Sequence, residues 1–259
     1  MTSTRVLVAG LTALLCTTIA VPARADVTLK SQSTGKGMMG GAMSGDQTQY
    51  VKGTRTRSDR TAGGKQTSTI IDASARQMIV LDHDKKQAEV IDMTTIGDSM
   101  TKAGVTDINV SITPTGQTRQ VAGTACTVYD VKVSVPMMAN SGMTMTMAGP
   151  QCLAKNAPGH ADFAAFFKAA SEKGFFLDPQ QAKAQPAAAK AMADMQRKMA
   201  ELGVPLATEM NITMGGDGPM AEMMKKMGST ITTEVTAIST AAIPDSMFEV
   251  PAGYKVSKR

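Results

Sequence analysis

Residues 67–92, TSTIIDASARQMIVLDHDKKQAEVID, hold three six-residue runs rich in β-branched and apolar side chains. The runs Thr67–Asp72, Gln77–Asp82 and Gln87–Asp92 are separated by ASAR and HDKK, polar tetrapeptides of turn composition. Short β-rich runs joined by short polar turns predict an antiparallel meander. Further strands are expected on either side. Val27–Thr34 alternates, Gln47–Arg60 reads as a strand exposed on one face, and strands resume at Asp107–Thr113, Gln117–Val121 and Cys126–Val135. Thr94–Val105 is a short helix or a loop. In Ser141–Met147 the alternation places Met143, Met145 and Met147 on one face of a strand.

The period then changes. Phe163, Phe166, Phe167 and Ala170 recur at i, i+3, i+4 and i+7, which predicts a helix over Ala161–Lys173 ending at Gly174. A second, Ala-rich helix is expected from Pro179 or Pro186 to Leu202, with Met192, Met195, Met199 and Leu202 on one stripe and Gly203 as its stop. Pro205–Met214 and Ser229–Ser239 return to strand. The expected class is α+β, mainly antiparallel β, in one domain over residues 26–259 with a helical insertion near 160–203.

Residues 1–25 have the form of a cleavable secretory signal: Arg5 supplies the positive region, Val6–Val21 is a short apolar run, and Ala23-Arg24-Ala25 is an A-x-A site. The expected location is therefore periplasmic or secreted. Nothing later in the chain approaches the length of a membrane span. With Cys16 in the signal, Cys126 and Cys152 remain as an even pair in an oxidising compartment, so a disulfide is expected. The net charge of +5 falls once Arg5 and Arg24 are removed, and what is left is spread along the chain, without the basic-aromatic interleaving of a nucleic-acid binder.

Methionine dominates the composition: 22 of 259 residues, beside six Phe, three Tyr and no Trp. Gly/Met-rich stretches lie near 35–45, 137–147 and 210–227. Thioethers fill irregular space, oxidise reversibly, and ligate soft metals. Enzyme motifs are weak. Gly97-Asp98-Ser99-Met100 lacks the strand-to-helix elbow and the late histidine of a hydrolase, and no G-x-S-x-G, H-E-x-x-H or phosphate-cradling loop is present. His83 and His160 are isolated in sequence, and His83 reads as a solvated turn residue.

The C-terminal stretch Ile243–Val256, IPDSMFEVPAGYKV, resembles the closing segment of a family of uncharacterised bacterial exported domains, itself distantly similar to the periplasmic lipoprotein-carrier superfamily. The 67–92 meander, VAGTACTVYDV, GPQCLAKNAPGHADFAAFFKA and GVPLATEM resemble the family in order, over most of residues 65–256. The Gly/Met-rich insertions depart from it. The resemblance implies an incomplete, half-open antiparallel β-barrel with helices packed in its concave side and an apolar cavity between them. It implies no known activity.

Two functional expectations follow. In the first, a non-enzymatic periplasmic binding or carrier protein, without a cofactor, holds an acyl chain, lipid or lipoprotein against Phe163, Phe166, Phe167, Met192, Met195 and Met199; an envelope protein is a further candidate partner. The alternative is a periplasmic Cu(I)-binding or metal-stress protein using Met38, Met39, Met43, Met143, Met145 and Met147, because soft thioethers suit a soft cation.

Overall fold

The computed structural model describes residues 26–36, 44–93, 109–136, 144–173, 186–216 and 228–258. The strands are β1 (Val27–Lys36), β2 (Gly45–Lys52), β3 (Arg55–Ala62), β4 (Lys65–Asp72), β5 (Gln77–Asp82), β6 (Gln87–Asp92), β7 (Asn109–Val121), β8 (Thr124–Pro136), β9 (Thr144–Ala154), β10 (Val204–Gly215), β11 (Ser229–Ser239) and β12 (Lys255–Lys258). Between β9 and β10 come helices α1 (His160–Lys173) and α2 (Pro186–Leu202), and a 3-10 turn spans Asp245–Phe248. The described residues thus form a mainly antiparallel α+β structure. Its one twelve-stranded sheet runs β12-β6-β5-β4-β3-β2-β1-β11-β10-β9-β8-β7. The sheet is open, with β12 and β7 at its two edges, and does not close into a barrel. Two meanders, β1–β6 and β7–β11, meet where β1 pairs with β11, Thr28 opposite Ser239 and Lys36 opposite Thr230.

The stretch 67–92 folds as its spacing predicts, and its two turns share one chemistry. The Asp72 carboxylate accepts from the Ser74 and Ala75 amides, both at 2.9 Å, and Asp82 accepts from the Lys85 amide at 2.9 Å. Each turn ends on a left-handed residue, Arg76 (φ 53°) or Lys86 (φ 50°). That conformation costs a non-glycine residue about 1–2 kcal/mol, and the aspartate caps offset it. Elsewhere the boundaries shift. Residues 47–60 are two strands, β2 and β3, because Gly53 (φ 57°) allows a tight turn between Lys52 and Arg55. The strands expected at 107–113 and 117–121 are one, β7, whose pairing slips between Pro114 and Thr118; proline has no amide to give the ladder.

Residues directly opposite in a ladder share a face, so two rows can be traced across the first meander. Val27, Val51, Thr56, Ile71, Met78 and Ile91 form one row. They belong to or pack against a core holding Phe163, Phe166 and Ala170 of α1, apart from Thr56, which is buried beside it with its hydroxyl donating to the Tyr50 carbonyl. Tyr50, Arg57, Ile70, Ile79 and Val90 form the opposite row. There Ile70, Ile79, Leu81 and Ala88 are covered by Ile243, Met247, Phe248, Val250 and Tyr254 of the C-terminal segment. Burial on both faces explains why β5 runs Met78-Ile79-Val80-Leu81 without a polar residue.

Charged groups fasten that cover. Lys52 Nζ donates to the Ile243 carbonyl at 2.6 Å and lies 3.1 Å from Asp245. Arg55 binds Asp245 at 2.5 Å and sits 4.9 Å over the Phe248 ring. Arg57 donates to the Met247 carbonyl at 2.9 Å. At the other end of the sheet Arg119 of β7 reaches Glu234 of β11 at 3.1 Å, although three strands lie between them and a flat sheet would separate their backbones by about 19 Å. The sheet therefore curls at this edge. On the same face, linked by direct pairings, lie Cys126, Val128, Cys152 and Ala207. Cys126 and Cys152 form the disulfide, with Cα atoms 5.3 Å apart. No helix among the described residues is long and apolar enough to cross a membrane.

Two outcomes follow. Hydrogen bonds from Arg55 and Lys52 hold the Asp245 carboxyl below the usual carboxylate range. A depressed acid stabilises the fold above its unfolded pKa and loses that contribution as pH falls through the folded one. The tail latch should thus be intact at neutral pH and weaken only below about pH 4, an acid dependence of urea midpoints that Asp245→Asn should remove. Replacing both Cys126 and Cys152 by Ala should lower unfolding free energy by about 3 kcal/mol, and reduction of the wild-type chain should give the same shift.

Candidate functional site

The chemistry that stands out lies where α2 crosses β8, β9 and β10. Alternation along β9 puts Met145, Met147 and Leu153 on one face. Val133 lies opposite Met147 in β8, while Ile212 and Met214 lie opposite Met147 and Met145 in β10. Over this face runs α2, PAAAKAMADMQRKMAEL, whose alanines and straight-chain residues favour helix and whose Pro186 suits a first turn. Met195 and Met199, one turn apart, are buried with Val131, Val133 and Leu153. Ile112, Tyr129, Met147 and Leu202 pack around that cluster half-buried. The helix rests chiefly on α1 and touches the sheet more lightly. His160 Nε2, at the start of α1, donates to the Ala200 carbonyl at 2.8 Å and fixes the two helices together.

No acid or amine belongs to this seam. Its polar groups are thioether sulfurs, the Tyr129 hydroxyl and the buried Gln151 amide, which lies opposite Tyr129 on the same face. It can bury flexible apolar surface, or present soft sulfur. Among the described residues no three His, Cys, Asp or Glu side chains gather as a metal cluster.

The residues singled out from sequence fall in different places. Phe163 and Phe166 are 2% and 1% exposed and belong to the central core with Val27, Leu29, Val51 and Leu206, away from the α2 seam. Phe167 is half-buried against both, its ring centroid 4.5 Å from that of Phe163 and 5.3 Å from that of Phe166. Met195 and Met199 face the sheet at the seam. Met192 lies within α2, but its side chain is outside the described residues, as are Met38, Met39, Met43, Met143 and the 97–100 segment. Met147 packs in the seam, and Met145 lies two residues along the same face. The structure thus brings together methionines that the sequence reading divides between a cavity and a metal site. It adds Met214, which the alternation of Met210, Ile212 and Met214 along β10 was able to reveal.

Two hollows are visible near the described residues, and among the described lining of either there is no Phe163, Phe166, Phe167, Met195 or Met199. One is an open groove of about 500 Å³ beside the β6–β12 edge, lined by Val80, Asp82, Gln87, Glu89, Lys255 and Ser257 among others. The other holds about 60 Å³ between Arg119, Cys152 and Glu234.

His83 is not a solvated turn residue. Its Nε2 lies 2.6 Å from Ser68 Oγ and its Nδ1 2.6 Å from the Tyr254 hydroxyl. Ser68 donates to Asp59 at 2.6 Å and accepts from Arg57 at 3.2 Å. This order requires the Nε2–H tautomer, with Tyr254 donating to Nδ1. A hydrolytic triad needs the reverse: serine donating to histidine, and the carboxylate on the histidine's far nitrogen. Ser68 is also only 1% exposed. The network ties Tyr254 to β3, β4 and β5.

A family model described as a domain of unknown function, DUF4412, matches residues 36–254. No curated protein matches the chain. Among solved structures it is similar to an uncharacterized conserved protein from Thermus thermophilus, at 9% identity over 92% of each chain with a TM-score of 0.42. It is also similar to a DUF1329 family protein from Desulfovibrio piger, at 8% identity over 88% of this chain and 91% of that one, with a TM-score of 0.32.

Met199 joins α2 to the sheet, so Met199→Ala should cost about 2–4 kcal/mol in urea unfolding. Met145→Leu, at a half-buried position and nearly volume-conserving, should cost less than about 1.5 kcal/mol.

Proposed function

Since the chain belongs to the DUF4412 family, a domain of unknown function, we propose from its own geometry that it is a non-enzymatic binding or carrier protein of the periplasm, taking an acyl chain, lipid or lipoprotein at the seam between α2 and β8–β10. The observation that carries the reading is the lining of that seam. Met195 and Met199 face Val131, Val133 and Leu153, and half-buried Ile112, Met147 and Leu202 continue the apolar surface outward. Methionine adapts to ligands of different shape at little cost, because its three torsions are unbranched. Burial of apolar ligand surface supplies about 25 cal/mol per Å² before the cost of ordering the ligand. Entry requires α2 to move away from the sheet. Its light contact with the strands supports this, since α1, not the sheet, holds it.

In this reading the helices lie in the hollow of an incompletely closed barrel. One core cluster supports it: residues packed together with Phe163 and Phe166 extend from Ile91 on β6 to Val128 on β8. Nine strand spacings separate those strands, about 43 Å if flat, whereas a helix the length of α1 spans only about 21 Å. Export to the periplasm is part of the proposal and rests on the signal-like residues 1–25 and the cysteine pair.

Native mass spectrometry and lipid extraction of protein taken from the periplasm, with a fluorescent fatty-acyl probe on the delipidated chain, test the proposal. A co-purifying acyl ligand, and probe binding weakened about tenfold or more by Met195→Asp, are expected. A chain that carries no lipid and leaves the probe unbound overturns it.

A further inference from the structure

Met145, Met147 and Met214 are placed for a chemistry that apolar binding does not use. Met145 and Met214 lie directly opposite each other on β9 and β10, and Met147 follows two residues along the same face. Opposite side chains in an antiparallel ladder start about 4.5–5.5 Å apart at Cβ, and diagonal ones about 7–8 Å. Three long thioethers with those origins can converge on one point. Met145 and Met147 are half-buried and Met214 is 6% exposed, so the sulfurs sit at the margin of the apolar seam, partly screened from water. Cys126 and Cys152, thiols that could compete for such an ion, are consumed in the disulfide.

We propose that Met145, Met147 and Met214 form an all-thioether site for a soft monovalent cation, Cu(I) or its analogue Ag(I). Thioethers are neutral and weak toward hard ions, so a triad without carboxylate or imidazole takes Cu(I) and Ag(I) and ignores Zn(II), Mg(II) and Ca(II). Neutral ligands leave the positive charge on the complex, which favours ready release over permanent storage. Thioether binding also needs no deprotonation, so affinity should be flat between pH 5 and pH 8, about where a histidine or thiolate site would vary. The site shares Met147 with the proposed ligand seam but uses a different chemistry, and a metal titration reads it separately from lipid binding.

The experiment is an anaerobic titration of the purified full chain with Cu(I) against a competing chelator, repeated with Ag(I) by native mass spectrometry. One metal ion per chain is expected, with sulfur-only scattering in X-ray absorption. Affinity should fall about tenfold or more in the Met145→Leu/Met214→Leu chain, which keeps volume and apolar character, while circular dichroism stays unchanged. Equal affinity in the wild-type and double-variant chains overturns the site, as does nitrogen or oxygen in the metal's coordination shell.

Discussion

The ladder between β1 and β11 holds the molecule together, because it alone joins the two meanders into one sheet. Every other antiparallel pairing is local, between strands adjacent in sequence or separated by the helical insertion. This one brings residues 27–36 against residues 229–239. Its position decides what the helices can do. Val27, at the start of β1, lies so close to Gly159 that a Cβ there would meet the valine side chain at 2.0 Å. The turn into α1 is thus seated on the first strand, and α1 carries α2 through His160. The Met-lined seam is therefore positioned at third hand by a strand remote from it. Pairings of such sequence separation close slowly, since loop entropy is lost before the contacts form.

How far the sequence speaks depends on how local the determining interaction is. The 67–92 meander is legible nearly to the residue, its first strand starting two residues earlier at Lys65, because its turns are capped by their own aspartates and its strands pair with neighbours. The helix periods are equally local, and α1 and β11 appear almost where they are expected. The β2–β3 turn is missed because Gly53 sits in a polar, Thr- and Arg-rich stretch with no apolar alternation to mark two strands. The C-terminal segment can be read as a recurring pattern but not as a cover for β2–β6, since nothing in its residues names the distant arginines it meets. His83 fails for the same reason: its partners, Ser68 and Tyr254, are brought to it by the sheet and by the tail.

The methionines divide along the same line. Helical spacing announces Met195 and Met199, and strand alternation announces Met145 and Met147, but their meeting depends on α2 crossing β9. Register adds Met214. The segments holding Met38, Met39, Met43 and Met143 are bounded by Lys36 and Gly45, and by Pro136 and Thr144. These strand ends lie at one end of the sheet together with Gly215 and Ser229.

The tail that covers Ile70, Ile79 and Leu81 is made from residues 243–254, far downstream of the strands it protects. A chain emerging from its N-terminus first completes the 67–92 hairpins long before their cover exists. Throughout that interval one face of a β-rich stretch stays bare, and such a face is the material of intermolecular sheet growth. Lys52, Arg55 and Arg57 stand on that same face before the tail arrives. Until Asp245 and the Met247 carbonyl engage them, these cations act as gatekeepers, repelling a second copy of the half-made sheet. One set of charges thus guards the strands during synthesis and fastens the cover afterwards.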